Sequence, residues 1–263
     1  MAKKIVFYVN KEKPRAIEKC RELEKRAAEL GFEAVKGDGD FVIALGGDGT
    51  ILKAVHEFKG TPVLGLNLGG LGYLAAVGER DFVKALKRLA TGEYQISERT
   101  LLEVNGRFPA LNDVVLVREQ SGHSALFDLE TDGKVVTRYM ADGVIFATPT
   151  GSTAYSLAAG GPVLMPDSAS FVITPMNPHA LGVRPLVVKD TASFRVTARL
   201  RTAGNKMKIG VYADGENVLT LEEGESVSIA KASRTAKLVE LVGYDPYEVL
   251  ARKLGWSGSC VEG

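Results

Sequence analysis

Apolar runs of strand length and apolar stripes of helical spacing alternate along the first third of the chain. Ile5 to Val9 is a continuous apolar run, which predicts a short buried strand. In the next segment Ile17, Cys20, Leu23, Ala27 and Leu30 share one helical stripe. Pro14 opens that stripe and Gly31 stands just past its end, as helix punctuation requires. The pattern then predicts strands near Phe32 to Val35 and at Phe41 to Leu45, and a helix from about Thr50 to Phe58. A strand in "TPVLGLN" and a helix in "ERDFVKALKRLATGE" follow. Such alternation predicts a Rossmann-like α/β domain with a parallel sheet over residues 1–97.

From Tyr94 the period changes. Short β-rich runs are broken by "VNGRF", "ETDGKVV", "YADGENV" and "EEGESV", and the Asn-Gly and Asp-Gly pairs are hairpin signals. Residues 98–243 are therefore expected to form an all-β, β-sandwich-like domain. A final helix in "DPYEVLARKLGW", within 244–263, is expected to return to the first domain.

Composition narrows the function class. A formal net charge of +1 over 263 residues favours neither nucleic acid nor an anionic membrane surface as partner. No apolar run reaches the roughly 18 residues that span a bilayer. The apolar stretch after "MAKK" is too short for a signal-peptide core, so a cytoplasmic location is expected. Cys20 and Cys260 form no metal-ligand cluster and fit a reducing compartment.

Four stretches carry candidate chemistry. The first is "GGDGT", Gly46, Gly47, Asp48, Gly49 and Thr50, where a strand hands over to a helix. It matches neither G-x-G-x-x-G nor G-x-x-x-x-G-K-[ST]. A glycine loop entering a helix offers backbone N–H groups and a favourable dipole to phosphate. An aspartate there repels phosphate, but suits a base or a group working through Mg2+. A tight turn with Asp48 or Thr50 as helix cap accounts for the same five residues, and both readings stand at this point. The second stretch is "NLGGLGYL", Asn67 to Leu74, again after a strand. It is expected beside the first at the carboxyl edge of the sheet, although Tyr73 by itself reads as core.

The third stretch, "TPTGSTAYSLAAGGP", puts six hydroxyls in nine residues, from Thr148 to Ser156. Helix capping uses one or two, so a surface that hydrogen-bonds a sugar or base edge is the sharper expectation. The fourth is "LNDVV", with Asn112 and Asp113 in apolar β sequence. Flanking apolar residues favour a strand over a turn, where such a pair is costly unless hydrogen-bonded.

Together these stretches resemble the NAD kinase family. "GGDGT" is shared with diacylglycerol and sphingosine kinases, whereas "TPTGSTAYSLAAGGP" is far more specific. The order "GGDGT", "NLGGLGYL", "LND", "DGVIFATPTGSTAYS", "PMNPHALGVRPLVV" follows the family pattern over nearly the whole chain. The resemblance implies phosphorylation of NAD at the 2′-hydroxyl of its adenosine ribose, with ATP or polyphosphate as donor and Mg2+ as charge partner. It implies an active site in the cleft between the two domains, Asp48 as general base, and a homodimer or homotetramer.

Further residues come from the resemblance alone. Asn112 and Asp113 match the family's Asn-Glu pair, with the shorter Asp113 in place of Glu. Asp142, Thr153, Ala154, Tyr155 and Ser156 match the dinucleotide lining, and Tyr73 an aromatic near the adenine. Lys53 matches a basic position toward phosphate, against a solvated helix face as the plain reading. His123 matches a position near the dinucleotide, and Asn177 and His179 lie in a matching loop. Met140 departs from the family, which often has a basic residue there. Arg138 is expected on the same strand face and able to substitute for it. "DGE" at Asp214 to Glu216 resembles a family "DGQ", and a hairpin turn explains it equally. The rival functions are a lipid kinase, for which no basic amphipathic helix is apparent, and a dinucleotide sensor without turnover, against which Asp48 argues.

Overall fold

The computed structural model describes residues 2–12, 14–69, 72–74, 77–119, 125–200 and 208–256. In chain order the first elements are β1 (Lys3–Val9), α1 (Pro14–Glu29), β2 (Phe32–Val35), β3 (Phe41–Leu45), α2 (Asp48–Glu57), β4 (Val63–Asn67), β5 (Val77–Gly78) and α3 (Phe82–Thr91). Then come β6 (Tyr94–Val104), β7 (Phe108–Ala110), β8 (Asp113–Arg118), β9 (Ala125–Thr131), β10 (Lys134–Ala141), β11 (Gly143–Ala147), the single turn α4 (Tyr155–Ala158) and β12 (Ser170–Met176). The chain continues through β13 (Leu186–Lys189), β14 (Phe194–Leu200), β15 (Ile209–Ala213), β16 (Glu216–Leu221), β17 (Ser226–Leu241) and α5 (Pro246–Leu254).

Two units emerge, Met1–Glu98 with Ala236–Gly263, and Arg99–Thr235. The expected borders were 97/98 and 243/244. The second crossing falls inside a strand instead of at a turn because β17 is 16 residues long and runs from one unit into the other.

In the first unit β2, β1, β3 and β4 pair in that order, all parallel, and the end of β17 adds in parallel beside β4 through Leu238 and Val63. Every residue of β3 and β4 is buried, which explains their unbroken apolar sequence. The stripe of α1 buries Ala16, Cys20, Leu23 and Ala27, and α3 buries Phe82, Ala85, Leu86 and Leu89. All of these but Ala16 share one core with Ile5, Phe41, Ile43, Leu45 and Leu66. The parallel order points the carboxyl ends of β1, β3 and β4 the same way.

The second unit is antiparallel. One sheet runs β13-β12-β11-β8-β15-β16; β10, β9, β14 and the start of β17 pair in a second. Side chains of both sheets meet in one core, with Phe127, Leu129, Val196 and Ile229 from one and Leu116, Phe146, Ile173 and Val211 from the other. This is the sandwich expected from the short β-rich runs and their hairpin signals.

Candidate active site

In the first unit the site grows from the carboxyl ends of β3 and β4. The Gly46 N–H donates to the Leu66 carbonyl at 3.0 Å and pins the glycine loop to the neighbouring strand. Helix α2 begins at Asp48, two residues before the predicted start. Glycines weaken the helical signal at 47 and 49, and the strand-to-helix turn overrides that local preference. Gly47 is the N-cap and supplies no side-chain cap, its carbonyl accepts from the Thr50 N–H at 2.9 Å, and the helix dipole here favours an anion.

Asp48 is half-buried. One carboxylate oxygen accepts from the Tyr73 N–H at 2.9 Å and the other from the Leu74 N–H at 3.2 Å. The two glycine-rich stretches are therefore tied side by side through this carboxylate. A Cβ built on Gly72 falls 2.0 Å from an Asp48 oxygen, so the approach needs glycine there. Burial and the Asp48 charge push the Tyr73 phenol above its ordinary pKa. The Lys253 ammonium of α5 stands 5.5 Å from the centre of the Tyr73 ring. Asn67 is buried, and its side-chain oxygen accepts from the Gly69 N–H at 2.9 Å, shaping the start of the second loop.

Beside this helix end opens a cavity of about 610 Å3. Gly47, Gly49, Thr50, Lys53 and Glu57 line it from α2 and its approach, and Tyr8, Val9, Asn10, Lys11 and Glu12 line it from the end of β1, so two carboxylates accompany the two lysines. Lys53 points to this cavity, one turn beyond the loop. Lys11 joins it, and sequence reading did not select it, because a lysine in "NKEK" looks like any solvated loop charge.

In the second unit Leu111 and Asn112 lie in a bend and Asp113 opens β8. The expected strand through the pair is thus corrected to a bend before the strand. The reason lies about 100 residues away, at Asp214. Its carboxylate accepts from the N–H groups of Leu111 at 2.7 Å, Asn112 at 2.7 Å and Asp113 at 3.2 Å, which replaces strand pairing there. Asp113 is buried, and burial together with the Asp214 charge raises its carboxyl pKa to about 7.

The hydroxyl-rich run turns mostly inward. It forms a 3-10 turn at Gly151–Thr153 and then the single turn α4. Thr148, Thr150, Ser152 and Ser156 are all buried. The Thr148 hydroxyl donates to the Leu111 carbonyl at 2.5 Å and accepts from the Gly151 N–H at 3.0 Å. Ser152 donates to the Pro149 carbonyl at 2.7 Å and accepts from the Leu164 N–H at 2.9 Å. Ser156 and Thr174 share a hydrogen bond at 2.9 Å. The expected ligand-facing surface of six hydroxyls therefore contracts to Thr153, Ala154 and the exposed Tyr155. Thr148, Ser152 and Ser156 build the support beneath with their hydroxyls, because the main chain here makes no regular ladder of its own.

Asp142 accepts from the Arg118 guanidinium at 2.9 and 2.8 Å and from the Asn177 side-chain amide at 3.0 Å. Arg138 does not take the place of the missing basic residue at Met140. Its guanidinium binds the buried Asp128 carboxylate of β9, together with Arg199 of β14. Those two cations hold the Asp128 carboxyl below its usual range, Arg138 making the larger contribution. The Met140 carbonyl accepts from the His179 N–H at 2.9 Å. His123 lies outside the described residues. Arg118 went unselected because a charge closing the apolar run "DVVLVR" reads as an ordinary strand end.

Comparison with known proteins assigns a class to this arrangement. A NAD kinase from Syntrophotalea carbinolica is 38% identical over 85% of this chain and 80% of its own length. One from Symbiobacterium thermophilum is 41% identical over 83% of this chain and 79% of its own length. The chain is a kinase. Residues 3–94 match the ATP-NAD kinase N-terminal domain and residues 111–241 the ATP-NAD kinase C-terminal domain. It belongs to the NAD kinase family, whose activity is the phosphorylation of NAD. The same fold occurs in the crystal structure of yeast NADH kinase complexed with NADH, with a TM-score of 0.87 at 23% identity over 98% of this chain and 89% of that one. It occurs also in an NAD kinase from Archaeoglobus fulgidus in complex with ATP, with a TM-score of 0.77 at 24% identity over 97% and 98%. Among the described residues no helix is long and apolar enough to cross a membrane.

Proposed function

We propose that this kinase transfers a phosphoryl group from ATP or polyphosphate to the 2′-hydroxyl of the adenosine ribose of NAD, giving NADP, with Asp48 as general base. The observation that carries the reading is the position of Asp48. It sits in the first turn of a helix with glycine at its N-cap, between Gly47 and Gly49, which line a cavity bearing Lys11 and Lys53 together with Glu12 and Glu57. Phosphoryl transfer asks for positioning, charge neutralisation and an oriented nucleophile more than for covalent chemistry. The N–H groups of the α2 first turn, Lys11 and Lys53 suit the donor phosphates. Asp48 suits the acceptor hydroxyl: its two oxygens each accept one N–H from the 72–74 loop, which fixes the carboxylate in place.

The family fold implies Mg2+. Among the described residues no three His, Cys, Asp or Glu side chains converge. We assign the ion to the donor phosphates, with Asp48 as the nearby carboxylate, the usual manner for magnesium. When bound, the ion would neutralise charge on the phosphates. In the second unit Asn112, Asp113, Asp142, Thr153, Ala154, Tyr155 and Asn177 are the groups we assign to the dinucleotide. The complexes of the yeast relative with NADH and of the archaeal one with ATP support these two substrate classes. We further infer a homodimer or homotetramer, which light scattering reads directly.

The test is incubation with NAD, Mg2+ and either ATP or polyphosphate, with NADP scored by an NADP-specific dehydrogenase. Product with at least one donor is expected. Failure with both overturns the reading.

A further inference from the structure

We propose that Asp214 is a positioning residue of the dinucleotide site, whose carboxylate holds the main chain that presents Asn112 and Asp113 to the adenosine ribose. The inference rests on the function proposed above and adds a residue to its site.

Asp214 and Gly215 form the two-residue loop between β15 and β16, both with positive φ, 48° and 83°. This is the primed hairpin turn that Asp-Gly favours. A residue needed only for that turn has no reason to spend its side chain elsewhere. Here the carboxylate leaves its own hairpin and accepts from three consecutive N–H groups, those of Leu111, Asn112 and Asp113. The Asp214 N–H returns a bond to the Asp113 carbonyl at 3.0 Å. Four hydrogen bonds therefore fasten one residue to one three-residue segment.

The opposite side of the segment is fastened as well. Thr148 donates its hydroxyl to the Leu111 carbonyl and its N–H to the Asn112 carbonyl, the latter at 2.9 Å. Gly151 packs so closely that a Cβ would fall 1.9 Å from the Asn112 oxygen. With both faces of the backbone committed, the Asn112 and Asp113 side chains are delivered in one orientation. Among the described residues, neither makes a side-chain hydrogen bond. Asn112 is only half-buried, and a polar side chain that is open in this way suits a ligand.

Asp214 also bears on Asp113 through charge. Residues 147–156, packed on the other side, offer one titratable group, the exposed Tyr155. Glu216, at the start of β16, is exposed. Asp214 is therefore the charged neighbour that matters, and its negative charge adds to burial in raising the Asp113 carboxyl to about 7. An ionised Asp113 accepts from ribose hydroxyls, so kcat/KM for NAD falls as pH drops through that value. Removing the Asp214 charge lowers the Asp113 pKa and moves this acid limb to lower pH.

Asp214→Asn tests the inference, because asparagine keeps the shape and tolerates the left-handed turn. The expected result is a KM for NAD raised about tenfold, with kcat and the KM for ATP within threefold of wild type. The acid limb moves to lower pH and the melting temperature drops by only a few degrees, since the amide oxygen cannot accept all three N–H groups. Asp113→Asn removes that limb, and adding Asp214→Asn to it shifts nothing further. NAD affinity measured by calorimetry without donor gives a readout independent of turnover. An Asp214→Asn variant with wild-type NAD affinity and an unmoved acid limb overturns the inference. So does one in which kcat and the melting temperature fall while both KM values stay put, since that is a plain folding role. Wild type that binds NAD and forms no NADP overturns the kinase reading instead, and leaves the calorimetric comparison standing.

Discussion

Gly151→Ala is the substitution whose cost follows most directly from the coordinates. The added methyl carbon would lie 1.9 Å from the Asn112 carbonyl oxygen and 2.3 Å from its carbon, whereas real Cβ atoms essentially never come within 3.0 Å of a neighbour. Both colliding atoms are backbone, so no side-chain rotation relieves the clash. The 151 turn and the Asn112 bend must separate by at least about 1 Å. That movement stretches the bonds from the Gly151 N–H to Thr148 and from the Thr148 N–H to Asn112. Two weakened hydrogen bonds at about 1 kcal/mol each, with overpacking of about 1–3 kcal/mol, give a destabilisation of about 3–5 kcal/mol. For a chain of this size the melting temperature should drop by roughly 6–20 °C. Because Asn112 is displaced, the KM for NAD should rise with it. Gly37→Ala serves as control, since nothing stands within 4 Å of a Cβ there and its φ is not positive. Differential scanning calorimetry and steady-state kinetics check both. A Gly151→Ala protein with wild-type melting temperature and KM would refute the clamp on the acceptor segment.

Three other outcomes are expected. Lys53→Met should raise the KM for ATP about fivefold, near 1 kcal/mol for an exposed charge, and leave the KM for NAD unchanged; initial rates at varied ATP check it. Arg118→Met removes the cation bound to Asp142 and should raise the KM for NAD several-fold, with the remaining Asn177 bond limiting the loss. The pH dependence of stability should single out Asp113, whose carboxyl rises from its ordinary 3.8 to about 7 in the folded chain. A raised carboxyl stabilises the fold fully below the unfolded pKa, and that contribution is lost as pH climbs to about 7. Wild type should therefore lose stability relative to Asp113→Asn between about pH 4 and pH 7, read by urea unfolding at each pH.

The fold was legible where local pattern and tertiary environment agree. The buried runs at Phe41 to Leu45 and Val63 to Asn67 announce parallel strands because both their faces are covered, and the stripes of α1 and α3 announce their cores. Legibility failed where a residue answers to something distant. Asp214 sits in a turn that "DG" explains completely by itself, so nothing local betrays its bonds to 111–113. Arg138 was placed by strand parity, yet Asp128 on the next strand claims it. The hydroxyls from Thr148 to Ser156 carry no sign of which way they face. Burial decides that, and it turns four of six inward. Among the candidate site residues, motif order pointed to Asp48, Asn112, Asp113 and Asp142 and the resemblance touched Asp214, whereas the Asp214 bonds to 111–113 and the places of Arg118 and Lys11 are visible only in the fold.

The central claim is that Asp48 takes the ribose proton, and Asp48→Asn tests it most directly. The amide keeps one oxygen to accept from the 72–74 loop and cannot serve as base. NADP formation from saturating NAD, ATP and Mg2+ should fall by roughly 100- to 10,000-fold, while NAD affinity by calorimetry and the melting temperature stay near wild type. Turnover within tenfold of wild type, with NAD bound as before, would contradict the account.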